Sequence, residues 1–419
     1  MKILYKNNLS KLLVASIILL PILNSSHIGN LNLGYGDITL AILFLLGILP
    51  QIWKSTLKIE AKKFWIFLLY LGIVSIVNCC VISTYSFESM FIPYIKYIFY
   101  ALIIFGSIKY CDVKYGINFY INVCTVESIY LFIQYILTVT IGINLPYVFP
   151  YVNMEYGIYG STYNSQLLQT LKYEGIRGVG FFPEPSHFAE YTIFAIILIL
   201  FKKEKNKRDN IKCVLILLGI ILTKSTIGIL ALLIVFYCYY LKNVKKINKK
   251  RFLNRIVWSG VGVILVCIIA NKLDVIKFII SRLETITERT WAVSGNLRLL
   301  RGFLVYREAP TLIKIFGIGC GNYLNFINAF GIQTFFDRVM NSANEYMNGA
   351  SAILLRSGII GSFLYLIFAL DFFRRSNTVK RIIFIIGLEI LFTENFFFSP
   401  IYVMHMCLLQ MRLEENEYI

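Results

Sequence analysis

Histidine and acidic residues are scarce in this chain. Its 419 residues include three His and 23 Asp or Glu, against 41 Lys or Arg. The three histidines, His27, His187 and His405, lie far apart, whereas a metal centre needs clustered ligands. The nine cysteines include no CxxC pair and fall mostly in apolar stretches, so their spacing predicts no disulfide framework and no zinc site. We therefore expect neither a metal nor a cofactor.

Charged residues are also few, and this points to a membrane protein. Only 15% of the residues are charged and 58% are hydrophobic. Apolar runs of roughly 17 residues or more recur along the chain, as in proteins with several membrane-spanning helices. The net charge of +18 would fit a nucleic-acid partner, but the basic residues lie in short clusters between apolar runs. That placement is typical of cytoplasmic loops and predicts no nucleic-acid binding.

The apolar runs predict an all-α, polytopic integral membrane protein with about twelve transmembrane helices. The first run is interpreted as a transmembrane helix, since no cleavage site for a signal peptide follows it. The predicted spans cover residues 12–28, 33–52, 64–83, 91–108, 116–142, 185–201, 213–223, 226–241, 256–271, 349–370, 382–394 and 398–412.

The basic clusters predict the orientation of these spans. All clusters can be cytoplasmic only if an even number of crossings separates the clusters at 202–212 and 242–255. A break at 223–226 provides this by making two short helices, tilted or re-entrant. Both termini are then cytoplasmic, and two long loops, 143–184 and 272–348, face outward from a single transmembrane domain, 1–419.

The most informative segment precedes the run at 185–201. Residues 177–187 read RGVGFFPEPSH. Polar groups at a membrane boundary often mark a functional site. We interpret Arg177 as a residue that binds an anionic group and Glu184 as a base. The competing interpretation is helix punctuation, with Pro185 in the first turn and Glu184 at the positive helix end.

Two further features leave their interpretation open. Arg298 and Arg301 are three residues apart, so on a helix they share a face. They could clamp a diphosphate or contact lipid headgroups. The glycines of residues 316–323, FGIGCGNY, favour a tight turn that lets a ligand approach the backbone.

Several ionisable residues fall inside the apolar runs. They should face the bundle interior or a wet cavity, either as part of an ion-coupled transporter or as a structural polar network. They are Asp37, Lys96, Glu127, Glu190, Lys224, Arg356, Glu389 and Glu394.

In four segments the chain resembles the bacterial O-antigen and capsular polysaccharide polymerases of the Wzy type, within the O-antigen ligase-like superfamily. Residues 177–191 are similar to that family's Arg…Gly-x-Phe-x-Glu-Pro-Ser segment, and 222–228 to its Ser…Gly turn between short helices. Residues 316–323 resemble its Gly-x-Gly-x-Gly-Asn segment. Residues 344–346 with 358–361 resemble the start of the helix after the large loop.

The resemblance implies a GT-C-like helical bundle in the bacterial cytoplasmic membrane, acting as a glycosyltransferase at its outer face. The substrate would be an oligosaccharide repeat unit linked to undecaprenyl diphosphate, polymerised into O-antigen, capsule or exopolysaccharide for the cell envelope. Glu184 and Arg177 would be catalytic, and Arg298, Arg301, His187 and Asn344 would bind substrate. A chain-length regulator and a flippase are the expected partners, beside the lipid bilayer.

Two alternatives are weighed against a polymerase. The ligase branch carries a histidine near the end of the large outer loop, and no histidine occurs here between His187 and His405. A flippase or other transporter would fit the number of spans and the buried charges. Transporters usually show inverted repeats and short outer loops, and neither is found in this sequence.

Overall fold

A computed structural model describes residues 2–24, 34–48, 61–107, 111–142, 145, 177–244, 294–334, 347–411 and 418. Within these residues the fold is helical and has no strands, and an isolated β-bridge pairs Lys202 with Tyr418. This confirms the predicted all-α class.

The described helices are numbered in chain order. They are α1 (Lys2–Leu23), α2 (Tyr35–Leu43), α3 (Lys62–Val81), α4 (Phe87–Leu102), α5 (Val113–Ile141), α6 (Pro185–Leu200), α7 (Lys207–Leu222), α8 (Thr226–Val244), α9 (Ser294–Glu308), α10 (Thr311–Phe316), α11 (Tyr323–Phe330), α12 (Gly349–Arg375), α13 (Thr378–Thr393) and α14 (Pro400–Gln410). Short π-helical turns, Phe44–Ile48 and Ile103–Ser107, extend α2 and α4.

Four of the described helices are long and apolar enough to cross a membrane: Lys62–Val81, Phe87–Gly106, Val113–Ile141 and Gly349–Arg375. Shorter apolar helices cover Asn8–Leu23, Tyr35–Leu46, Pro185–Leu200 and Thr226–Lys242. The chain is therefore a helical membrane protein. The number of twelve spans stays a prediction. The span at 256–271, most of the loop 143–184 and part of the loop 272–348 lie outside the described residues.

The chain divides into two compact units. The first contains Met1–Leu43, Cys111–Glu284 and Arg412–Ile419. The second contains Phe44–Tyr110 and Thr285–Met411. The 177–187 segment belongs to the first unit, and the arginines of α9 belong to the second.

Helix α6 is the core of the first unit. It packs against α5, α7 and α8, and most of its side chains are buried on every side, as expected of a helix whose whole circumference is mostly apolar. Pro185 occupies its first turn after an extended residue, Glu184, which is a favourable helix start. Tyr191 on α6 donates a hydrogen bond to the Ile18 carbonyl of α1 at 3.0 Å.

The predicted break in the 213–241 region is present. Helix α7 ends at Leu222 and α8 begins at Thr226. Helix α7 begins earlier than expected, at Lys207, because Asn206 and Asp209 form a reciprocal capping box. Gly228 allows α8 to approach α6, since a Cβ there would lie 2.5 Å from the Cβ of Ala189.

In the second unit the long helix α12 packs against α3, α9, α10 and α13. The core of this unit contains pairs of aromatic rings. The ring centroids of Phe64 and Phe368 lie 4.9 Å apart, and those of Phe67 and Tyr365 lie 5.4 Å apart. Such pairs add roughly 0.5–1.5 kcal/mol each to the burial of their area.

Helix α12 is interrupted at Gly358, whose backbone angles are φ 62° and ψ −169°. The break frees the carbonyl oxygens of Leu355 and Arg356. The amides of Ile318 and Gly319 donate to these oxygens, each at 2.9 Å. Free backbone groups are costly inside a membrane protein, and this short ladder satisfies them.

The glycines of residues 316–323 serve this contact. A Cβ at Gly317 would lie 2.3 Å from the Arg356 carbonyl oxygen, and one at Gly321 would lie 1.9 Å from the Ser89 carbonyl oxygen. The segment thus approaches the chain's own backbone, where the sequence suggested the approach of a ligand. Asn322 completes the packing by accepting from the Ser86 amide at 3.0 Å.

The orientation of the chain can be measured by cysteine labelling. Asn328 lies in the predicted outer loop 272–348 and Asn210 in a predicted cytoplasmic cluster, and both are exposed. In a background with the nine native cysteines replaced, we expect Asn328→Cys to react with an impermeant thiol reagent in intact cells. Asn210→Cys should react only after the cells are opened. The reverse pattern would contradict the charge-based topology.

Candidate functional site

The first candidate site is the backbone of residues 178–182 in the first unit. Gln134 of α5 pairs with both backbone groups of Gly180: its Oε1 accepts from the amide at 3.0 Å and its Nε2 donates to the carbonyl at 3.1 Å. Gly180 has a φ of 62°, a left-handed conformation that favours glycine. A Cβ at this position would also lie 2.9 Å from Glu127 Oε2.

Glu127, two turns before Gln134 on the same face of α5, holds the next residue. Its Oε2 accepts from the Phe181 amide at 3.1 Å. The Phe181 ring stacks on Tyr130 with 4.1 Å between the ring centroids. Glu127 and Gln134 are 4% and 5% exposed, so their polar groups bond to this backbone rather than to solvent.

The other side of the segment is attached to the turn between α7 and α8. The Gly178 amide donates to the Leu222 carbonyl at 3.3 Å, and Arg177 Nε donates to the Thr223 carbonyl at 3.1 Å. Two segments singled out in the sequence, 177–187 and 222–228, are therefore adjacent. The turn itself is held by the Thr223 hydroxyl, which accepts from the Ser225 amide at 3.2 Å.

Glu184 is the residue that precedes the first turn of α6. Its carboxylate makes no capping bond to the helix backbone and instead accepts from the Ser186 hydroxyl at 3.3 Å. Pro185 and the extended backbone explain the helix start, as the punctuation hypothesis requires, but the Glu184 carboxylate is not needed for it. His187 is half-buried one residue beyond Ser186. The roles proposed for Arg177, Glu184 and His187 stay predictions.

The second candidate site lies in the second unit, where α9 meets the start of α12 and the end of α13. The Asn348 amide donates to the Arg298 carbonyl at 3.0 Å, and Asn348 Nδ2 donates to the Leu299 carbonyl at 3.1 Å. Gly302 permits this close packing, because a Cβ there would lie 2.1 Å from Ser351 Oγ. Asn348 also caps α12 through the Ser351 amide at 2.8 Å.

Two arginines of α9, Arg298 and Arg301, are turned into this unit. Arg298 forms an ion pair with Glu394, and their side chains are 13% and 5% exposed. Arg301 is 3% exposed. Burial of a charged pair is tolerated only with good geometry and hydrogen bonds. The arginines share one helix, as predicted, but Arg298 already has a carboxylate partner inside the protein.

A lipid diphosphate needs paired arginines and an acceptor hydroxyl needs a carboxylate, so the sequence also predicts that Arg177, Glu184, Arg298 and Arg301 converge on one outward-facing cavity. These residues belong to different units, and their convergence stays a prediction. Asn344, predicted to bind substrate, lies outside the described residues.

Two other ionisable groups in the apolar helices, Asp37 and Arg356, have partners within their own unit. Asp37 accepts from Asn24 Nδ2 at 2.9 Å and from the Gly34 amide at 3.2 Å. Arg356 hydrogen bonds to the Tyr97 hydroxyl. These bonds are of the kind expected of a structural polar network.

Sequence reasoning missed two features of these sites. Gln134 is uncharged and lies in a long apolar run, so composition gave no reason to single it out. Glu394 was noted as a buried charge, but its pairing with Arg298 joins residues 96 positions apart. The Gly-x-Gly-like pattern at Gly178 and Gly180 was the only available sign that another side chain would approach this backbone.

No model of a known protein family matches the chain, and no curated protein matches it.

Proposed function

We propose that this protein is a polymerase of oligosaccharide repeat units carried on undecaprenyl diphosphate, acting at the outer face of the bacterial cytoplasmic membrane. The observation that supports the proposal most is the attachment of Arg177 to Thr223. Two of the four segments that resemble the family, 177–191 and 222–228, are distant in sequence but adjacent in the first unit. A helical membrane protein is the setting that such a lipid-linked substrate requires.

In the proposed reaction, a hydroxyl oxygen of the acceptor unit forms a bond to the anomeric carbon of the donor chain. The bond between that carbon and the carrier's phosphate oxygen breaks, and its electron pair leaves with the diphosphate. The proton of the attacking hydroxyl passes to the carboxylate of Glu184. Arg177 stabilises the charge that develops on the leaving diphosphate, for which its planar guanidinium is suited.

Arg298 and Arg301 are proposed to bind a diphosphate in the second unit. Because Arg298 is paired with Glu394, the net charge offered there is smaller than two arginines suggest. A diphosphate would have to share Arg298 with this carboxylate. Recognition of the diphosphate would then depend more on Arg301 than a simple clamp of two arginines implies.

Deletion of the protein tests the proposal. In a bacterium that carries the gene, we expect the deletion strain to make single repeat units and export them, but never to join them. Gel electrophoresis of the surface carbohydrate should show loss of every chain longer than one unit, and mass spectrometry should show exported, carrier-linked single units. Restoring the gene should restore the long chains.

The competing functions give different results in the same experiment. Loss of a flippase would leave the carrier-linked units on the cytoplasmic face, where enzymes added outside intact cells cannot trim them. Loss of a ligase would leave long chains on the carrier, because they would be polymerised but not transferred. Either result would contradict the polymerase proposal.

A further inference from the structure

Side chains of α5 hold the backbone of residues 180 and 181, midway along the segment. Gln134 binds the amide and the carbonyl of Gly180 together, and Glu127 binds the amide of Phe181. Bonds between nearby residues of the segment itself are few: Phe182 donates to the Val179 carbonyl at 3.3 Å. The backbone of residues 180–181 is therefore held by α5, while Gly178 is held by the Leu222 carbonyl at the end of α7.

The same hydrogen bonds also satisfy the buried polar groups of Glu127 and Gln134. A buried amide or carboxylate that loses its hydrogen bonds costs about 1–3 kcal/mol or more, so Glu127 and Gln134 favour the one loop conformation that satisfies both. The left-handed φ of Gly180 belongs to that conformation. Polar residues inside a membrane helix are usually retained for a function, and holding this loop gives these two a role.

We infer that Glu127 and Gln134 are positioning residues for Arg177 and Glu184. This inference rests on the proposed function, because it gives the two side chains a purpose in that reaction. Arg177 lies three residues before Gly180, and Glu184 lies three residues after Phe181. The two held residues thus sit midway between the guanidinium and the carboxylate. A misplacement of about 1 Å at a reacting centre can slow a reaction about a hundredfold.

Hydrogen exchange provides a test that needs no substrate. In purified full-length protein, Gln134→Ala removes both bonds to Gly180, and we expect faster exchange in peptides covering 178–182. Peptides from the centre of α6 should stay protected. Thr125→Ala is the control: the Thr125 hydroxyl bonds only to its own helix, at the Ile121 carbonyl, so it should change neither region. Unchanged exchange at 178–182, or equally increased exchange in α6, would overturn the inference.

Kinetic measurements distinguish a positioning role of Glu127 from a role of its negative charge in the reaction. The substrate is the lipid-linked single unit that accumulates in the deletion strain, presented in vesicles. We expect Glu127→Ala and Gln134→Ala to lower kcat and kcat/KM together, about tenfold to a hundredfold. Glu127→Gln should stay within about threefold of the parent protein, because its amide oxygen can still accept from the Phe181 amide.

An equal loss in Glu127→Gln and Glu127→Ala would show that the negative charge acts in the chemistry, and would overturn the positioning role. Failure of the proposed function has a different signature. The deletion strain would then keep its long chains, while the exchange measurement would still report whether α5 holds the loop.

Discussion

Replacing Glu394 by leucine is expected to lower the free energy of unfolding by about 3–5 kcal/mol, the largest stability effect we predict for a single side chain. Arg298 and Glu394 are both largely buried, so removal of the carboxylate leaves a positive charge with too little compensation. Unfolding of the purified protein in mixed micelles by titration with a denaturing detergent measures the change.

A double-mutant cycle tests whether the loss comes from the stranded arginine. Arg298→Met together with Glu394→Leu removes both charges, and we expect it to recover most of the lost stability, since apolar replacements of a buried pair are often neutral or better. Glu308→Ala is the matched control. Glu308 is paired with Arg307, and the two side chains are 51% and 71% exposed. Exposed pairs contribute at most about 1 kcal/mol to the free energy of unfolding. Additive effects of Arg298→Met and Glu394→Leu would contradict the coupling.

Arg177→Ala is expected to reduce polymer formation about tenfold to a hundredfold with the protein still present in the membrane. A hydrogen bond to a charged group contributes about 1.5–3 kcal/mol, and this is the contact to the diphosphate that the substitution removes. The measurement is the ratio of long chains to single units on the cell surface, with the amount of membrane protein determined on the same cells.

Arg177 also has a structural bond, and a second arginine controls for its loss. Arg381 Nε donates to the Phe373 carbonyl at 3.2 Å, much as Arg177 Nε donates to the Thr223 carbonyl at 3.1 Å. Arg381 is exposed in a predicted cytoplasmic cluster, away from any outer-face chemistry. We expect Arg381→Ala to keep normal chain lengths. Equal behaviour of the two variants would mean that Arg177 has no catalytic role. Arg177→Lys should recover part of the activity, since charge is kept and the planar fork is lost.

The helices were predictable because apolar length and basic flanks are local properties of the sequence. The break between α7 and α8 followed from charge parity alone, and the start of α6 followed from Pro185. The start of α7 was placed too late, because the capping box at Asn206 begins the helix within a basic stretch that hydropathy assigns to a loop.

The details of the two sites depended on tertiary contacts that periodicity does not encode. The sequence singled out residues 177–187 and 222–228, which are adjacent in the structure, and it predicted the shared helix of Arg298 and Arg301. It could not show that Gln134 would bind the backbone of Gly180, because an amide in an apolar run has many potential partners. It also treated Arg298 as available for a ligand, since the pairing with Glu394 appears only when α9 and α13 are packed together.

The break in α12 has a consequence for how the chain is made. Gly358 leaves two backbone carbonyls that the membrane interior cannot solvate, and the amides that satisfy them belong to Ile318 and Gly319. Those two residues are synthesised some forty positions before the break, so they have already left the ribosome when α12 is inserted. The amides that pair with these carbonyls are thus already present when α12 enters the membrane. A chain lacking residues 316–322 would insert α12 with these two carbonyls unpaired by that segment at its centre.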